Sequence, residues 1–156
     1  MSRPTLSFDP GKSGGYAIQD SEGAVTSGGM PDTEGGIVDL VRAFKAEHVG
    51  GEAWVEDVPK FIGHAIPGAA VAVLFRNYGF LLGCLEGLGI RTILVTPQKW
   101  QAPLGLGTKA GAGGSAPWKR KLKAEAQRRF PNVPVTLGNA DALLILDFSN
   151  TSKNTP

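Results

Sequence analysis

Apolar and polar positions alternate in short runs near the start of the chain. Leu6-Ser-Phe8 is strand-like and ends at Asp9, and Pro10-Gly-Lys-Ser-Gly-Gly15 has the make-up of a turn. Tyr16-Ala-Ile18 and Gly23-Ala-Val-Thr26 alternate again around a Gln19-Asp-Ser-Glu22 turn, which predicts three antiparallel strands within residues 5–30. The period then changes. Thr33 before Glu34, with Ile37, Leu40, Val41 and Phe44, predicts a capped amphipathic helix. Ala53-Trp-Val55 is a buried-type strand running into Glu56 and Asp57, and a loop from Pro59 to Pro67 follows. A long apolar helix is predicted from Ala69 to about Leu88, then a strand from Arg91 to Val95 and a short helix from Pro97 through Trp100. Gly105 to Ser115 reads as a mobile glycine-rich loop, and Pro117 to Phe130 as a basic helix stopped by Pro131. A last helix starts near Asn139 and carries Leu143, Leu144 and Leu146; the chain after Ser149 is polar and is expected to fray. The order predicts an α/β fold, a mixed five-stranded sheet flanked by helices. It forms one domain over residues 1–150, with a polar tail at 151–156.

Composition narrows the class. A chain of 156 residues suits a single core. The most apolar stretch, Ala69 to Leu88, is interrupted by Arg76, Asn77 and Glu86, and Asp9 and Lys12 follow the amino terminus without an apolar signal core. Cys84 is the single cysteine, which excludes an internal disulfide and a cysteine-based zinc site. A cytoplasmic protein is the expectation. The net charge of +2 hides an asymmetry: residues 1–57 hold 10 acids and 4 bases, residues 58–156 hold 4 acids and 12 bases. Such a division suits a protein that binds a polyanion and holds cations at carboxylates, although a solvated helix face would also produce it.

Three acids stand in apolar surroundings. Asp9 and Glu56 end strands, and Asp141 lies in Ala140-Asp-Ala-Leu-Leu-Ile-Leu146. A buried carboxylate needs a metal, a cation or hydrogen bonds. Three that converge would describe a Mg²⁺ or Mn²⁺ site, while each alone is equally a cap or one half of an ion pair. Gly11-Lys-Ser13 is not a phosphate-binding P-loop, because Leu6 stands where that loop requires glycine.

Phe8-Asp-Pro-Gly-Lys-Ser-Gly14, Trp54-Val-Glu-Asp-Val-Pro59 and Asn139-Ala-Asp-Ala-Leu-Leu-Ile145 resemble, in order, the three acidic motifs of RuvC-like Holliday junction resolvases. Asn77-Tyr-Gly-Phe-Leu-Leu-Gly83, Leu88-Gly-Ile90 and Val95-Thr-Pro-Gln-Lys-Trp100 are similar to the phage and organellar branch of that family. The resemblance spans roughly residues 6 to 148. It implies an RNase H-like fold and a structure-selective endonuclease that resolves four-way DNA junctions by paired phosphodiester hydrolysis. Asp9, Glu56 and Asp141 would be catalytic and would ligate two Mg²⁺ or Mn²⁺ ions ~3.5–4 Å apart. No organic cofactor and no membrane are implied. A fourth ligand, which many relatives carry just before the last motif, is missing, because Thr136, Leu137, Gly138 and Asn139 stand there. Asp147 and Asp57 should face elsewhere.

DNA contacts are expected from Lys12, Lys60, Phe61, Lys99, Lys109, Lys119, Arg120, Lys121 and Lys123, and from Arg128 and Arg129 on the same helix. Phe61 is either a wedge at the junction centre or a loop anchor packed on the core. Trp100 is expected to fill the core. Paired cuts imply a homodimer, and the Ala69–Leu88 helix, with Ala69, Ala70, Ala72 and Gly83, is either its interface or an ordinary core helix. Two alternatives remain: a junction-binding protein that cuts weakly or not at all, and an RNase H-type nuclease on RNA–DNA hybrids.

Overall fold

The computed structural model describes residues 2–58 and 68–153. Five strands, β1 (Thr5–Asp9), β2 (Gly15–Gln19), β3 (Val25–Gly29), β4 (Glu52–Glu56) and β5 (Arg91–Val95), form one sheet in the order β3-β2-β1-β4-β5. β1, β2 and β3 pair antiparallel, while β4 and β5 add in parallel beyond β1. The helices are α1 (Glu34–Glu47), α2 (Gly68–Gly87), α3 (Pro97–Gln101), α4 (Ser115–Arg129) and α5 (Ala140–Lys153). This is the mixed five-stranded sheet with flanking helices that the hydrophobic pattern predicts.

Two-residue periodicity sorts the strands into two faces. Leu6 and Phe8 of β1 with Ala53 and Val55 of β4 meet Ile37, Val41 and Phe44 of α1 and Leu81 and Leu85 of α2. The opposite face takes α4 and α5, with Trp118, Leu122 and the run Ala142–Leu146. By the same alternation Ser7, Asp9, Trp54 and Glu56 lie on the α5 side. β1 connects toward β2 and β4 toward β5, so the chain changes direction between two neighbouring parallel strands. Open α/β sheets bind ligands in the crevice at the carboxyl ends of such strands, and Asp9 and Glu56 stand there.

Three boundaries differ from the sequence expectation. β3 occupies Val25–Gly29 rather than Gly23–Thr26, because the Asp20 carboxylate accepts from the amides of Glu22 and Ala24 and extends the turn through Gly23, whose φ is 92°. The glycine-rich segment expected to be mobile is folded into turns. Leu106 and Ala112 pack on the core, Thr108 Oγ1 accepts from Gly111 N, and Lys121 Nζ donates to Leu106 O at 3.1 Å. α5 continues past Ser149 to Lys153, so residues 151–153 of the expected tail are helical. Lys153 Nζ bonds Thr5 Oγ1 and lies 3.0 Å from Glu52 Oε1, which ties that last turn to the sheet.

α2 is apolar, yet only Leu81 and Leu85 are buried; Val73 and Phe75 are exposed. It is long and apolar enough to cross a membrane by length and composition. In this fold its buried residues join the α1 side of the core.

Candidate active site

β1 delivers Asp9 and β4 delivers Glu56 one position beyond the paired residues Phe8 and Val55. α5 delivers Asp141 in its first turn, where the helix dipole favours a carboxylate. Two anchors set that turn in place. Ser7 Oγ donates to Ala142 O at 2.7 Å, joining α5 to β1 two residues before Asp9. Asn139 Nδ2 donates to Ser27 Oγ of β3 at 2.7 Å and to Pro134 O at 3.0 Å, while its Oδ1 accepts from Thr136 N. Asn139 is thus a buried tie between the approach to α5 and β3, and its carboxamide is bonded at both ends rather than free as a fourth ligand.

Burial, then the neighbouring Asp141 and Glu56, hold the Asp9 carboxyl well above the usual carboxylate range, with Lys119 acting against them. Burial pushes Glu56 up to about 7; the Trp100 hydrogen bond and Lys119 oppose that rise and Asp141 adds to it. The three acids therefore share one field. Asp141 is buried; its Oδ2 accepts from Lys119 Nζ at 2.9 Å, and its Oδ1 is buried with no hydrogen-bond partner. Trp100, fully buried in the last part of α3, donates its indole N–H to Glu56 Oε2 at 2.8 Å. Among the described residues no three His, Cys, Asp or Glu side chains are grouped closely enough to hold a metal ion as they stand. The Lys119 ammonium lies among the carboxylates: burial works against its charge, but Asp141, Asp9 and Glu56 together raise its pKa.

A cavity of about 400 Å³ opens on this cluster, lined by Glu56, Asp141, Lys109, Lys119, Trp118, Gln98 and others. It sets two carboxylates against two ammonium groups. That combination can bind a hard cation through oxygen and a phosphate through the lysines.

The remaining expected contacts scatter. Lys12 lines a separate cavity of about 370 Å³ with Arg76, Asp32 and Glu34. Lys99 and Arg120 are exposed, Lys123 is half-buried, and Lys121 is spent on the Leu106 carbonyl. Arg128 and Arg129 pair with Glu125, and Arg129 also with Asp147, so this end of α4 is internally neutralised rather than open to phosphate. Asp147 and Asp57 face away from the site, the latter accepting from Tyr78 Oη of α2 at 2.9 Å. Lys60 and Phe61 lie outside the described residues. Sequence reasoning missed Ser7, the tie from Asn139 to Ser27, the indole bond of Trp100, and the pairing of Lys119 with Asp141. Only the Thr96-Pro97 start of α3 hinted that Trp100 would fold back beside the strand ends.

No family model matches the chain, and no curated protein matches it. Solved structures do. The chain is similar to a Thermus thermophilus RuvC structure, with a TM-score of 0.56, 18% identity and 96% of each chain covered. It is also similar to Thermus thermophilus RuvC in complex with a Holliday junction substrate, with a TM-score of 0.62 and 14% identity over 97% of this chain and 96% of that one. At these identities the likeness is one of fold: the chain has a RuvC-like, RNase H-like architecture along nearly all of its length.

Proposed function

We propose that this protein is a cytoplasmic, divalent-metal-dependent endonuclease that resolves four-way DNA junctions. The observation that carries the proposal is the Asp9–Glu56–Asp141 cluster at the strand-direction change of a RuvC-like fold. Two of its carboxyls are pushed toward neutrality by burial and then by the charge of Asp141, and that third acid has an orphaned buried oxygen. An oxygen-only donor set short of positive charge fits Mg²⁺ or Mn²⁺. Divalent cations held by these three residues would supply an activated water and would stabilise the leaving oxygen of a phosphodiester.

The rest falls to the chain's own groups. Lys109 and Lys119, from the wall of the same cavity, would steady the scissile phosphate, and Lys99, Arg120 and Lys123 would hold the flanking backbone. Resolution needs two cuts, hence a symmetric dimer. The exposed face of α2 supports that role: nothing lies within 4 Å of where a Cβ on Gly79, Gly83 or Gly87 would stand, so a second helix can approach closely.

A second reading, a junction binder that does not cut, is favoured by the uncompleted ligand cluster and by the Lys119–Asp141 pair. A synthetic four-way junction, a linear duplex and an RNA–DNA hybrid, each tried with Mg²⁺ and Mn²⁺, separate the readings. Resolution requires paired nicks on the junction alone, lost in Asp9→Asn and Asp141→Asn while junction binding persists. Binding without nicks establishes the silent binder, and preferential cutting of the hybrid establishes an RNase H-type enzyme.

A further inference from the structure

We infer that Trp100 is a positioning residue for the proposed metal chemistry: its indole fixes the Glu56 carboxylate by one oxygen and leaves the other for a ligand. The inference rests on the nuclease reading above and adds a residue to it.

A glutamate at a strand end has rotatable bonds enough to present its carboxylate in many directions, and ordering it costs side-chain entropy. Here Glu56 Oε2 accepts from Trp100 Nε1 at 2.8 Å, and no hydrogen bond to Oε1 is made among the described residues. The indole has little freedom to follow a wandering carboxylate. Trp100 is 0% exposed, within a cluster that includes Val95, Leu143 and Leu146. Its backbone is fixed too, because Thr96 O accepts from the amides of Lys99 and Trp100 at 3.0 and 3.3 Å, directly after Val95, the register partner of Glu56.

A buried indole needs an acceptor in any case, and the same strand supplies the comparison. At its other end Trp54 Nε1 donates to Glu52 Oε1 at 2.9 Å, but that carboxylate also meets Arg3, Arg91 and Lys153 and has no role in the carboxylate cluster. Trp54 is therefore the matched control. Partners that orient metal ligands typically cost ~10–100-fold in metal affinity when removed.

The test is Mn²⁺ affinity, measured without DNA from the free-ion electron paramagnetic resonance signal, in wild type, Trp100→Phe, Trp54→Phe and Glu56→Gln. Trp100→Phe keeps an aromatic ring and deletes the N–H donor. It should weaken Mn²⁺ binding ~10–100-fold, while Trp54→Phe leaves it unchanged. In wild type, Mg²⁺ should move the Trp100 indole resonance in a ¹H–¹⁵N spectrum and leave that of Trp54 in place. This readout decides the matter if Trp100→Phe does not fold. Wild-type affinity in Trp100→Phe, or an indole resonance indifferent to Mg²⁺, overturns the role of Trp100 while Glu56→Gln is still weakened. If Glu56→Gln binds Mn²⁺ as wild type does, the nuclease reading and this inference fall together.

Discussion

Replacing Glu56 by Gln should make the metal-free protein more stable. The carboxyl has a pKa of about 7 in the fold against an ordinary 4.5, so the native state holds its proton more tightly than the unfolded chain does. Stability is then unaffected by this group below pH 4.5, falls as pH rises from 4.5 to 7, and stays lowered above 7. At ~1.4 kcal/mol per pH unit, the gap amounts to about 3 kcal/mol at pH 8.5. Glutamine keeps a carbonyl oxygen for the Trp100 indole and carries no charge to repel Asp9 and Asp141. For a chain of this size, about 3 kcal/mol corresponds to a rise in melting temperature of roughly 6–12 °C. Thermal melts in chelator at pH 8.5 and at pH 4 provide the assay. The variant should melt well above wild type at pH 8.5 and together with it at pH 4, and added Mg²⁺ should close the gap by stabilising wild type alone. A variant that melts at or below wild type at pH 8.5 would refute the idea that the site is held under electrostatic strain.

Lys119→Met removes the ammonium shared by three carboxylates; because that side chain is half exposed, the loss in metal-free urea melts at pH 8 should be only about 1 kcal/mol. An unchanged midpoint would show that Lys119 does not balance the cluster. At the other end of β4, burial works against the charge of Glu52, but hydrogen bonds from Trp54, Lys153 and Arg3 lower its pKa to about 2. Its contribution is present above pH 4.5 and lost as pH falls toward 2, so Glu52→Gln should cost roughly 3 kcal/mol at pH 7. Junction cutting per folded molecule should not change, and a fall in cutting would place Glu52 in the active site after all. Arg120→Ala with Lys123→Ala should weaken junction binding regardless of sequence and flatten log K against log salt by roughly 0.9 for each phosphate left without its cation. An unaltered slope would make that face of α4 a solvated one.

The sheet was legible because its signals are local. Leu6, Phe8, Ala53 and Val55 mark one face by alternation alone, and the acids that end those strands share the other. Asp141 stood out as a charge inside Ala140–Leu146, a run that the fold buries completely. What escaped depends on contacts between distant segments. Nothing near Lys119 says that Trp118, Leu122 and Ala126 dock α4 so as to aim its ammonium at Asp141 rather than at solvent. Ser149-Asn-Thr-Ser-Lys153 has the composition of a fraying end, and its meeting with Glu52 and Thr5, far earlier in the chain, ties it down as helix. The β3 shift was of another kind. A single Asp20 side chain bonding two amides outweighed the alternation of Gly23-Ala-Val-Thr26.

α5 is fastened at both ends, by Ser7 beside Asp141 and by Glu52 and Thr5 at Lys153. Over its 14 residues, at ~1.5 Å each, it lies over the central strands β2, β1 and β4 like a crossbar about 20 Å long. A crossbar transmits load. A fusion partner, an immobilising surface or a tether attached beyond Lys153 would load the Lys153 contacts with Glu52 and Thr5 first and, once they yield, pull through the helix on the carboxylate at its far end. The carboxyl end is therefore the wrong handle for purification or single-molecule work, and attachment through an exposed turn such as Asp20–Ala24 leaves the crossbar slack.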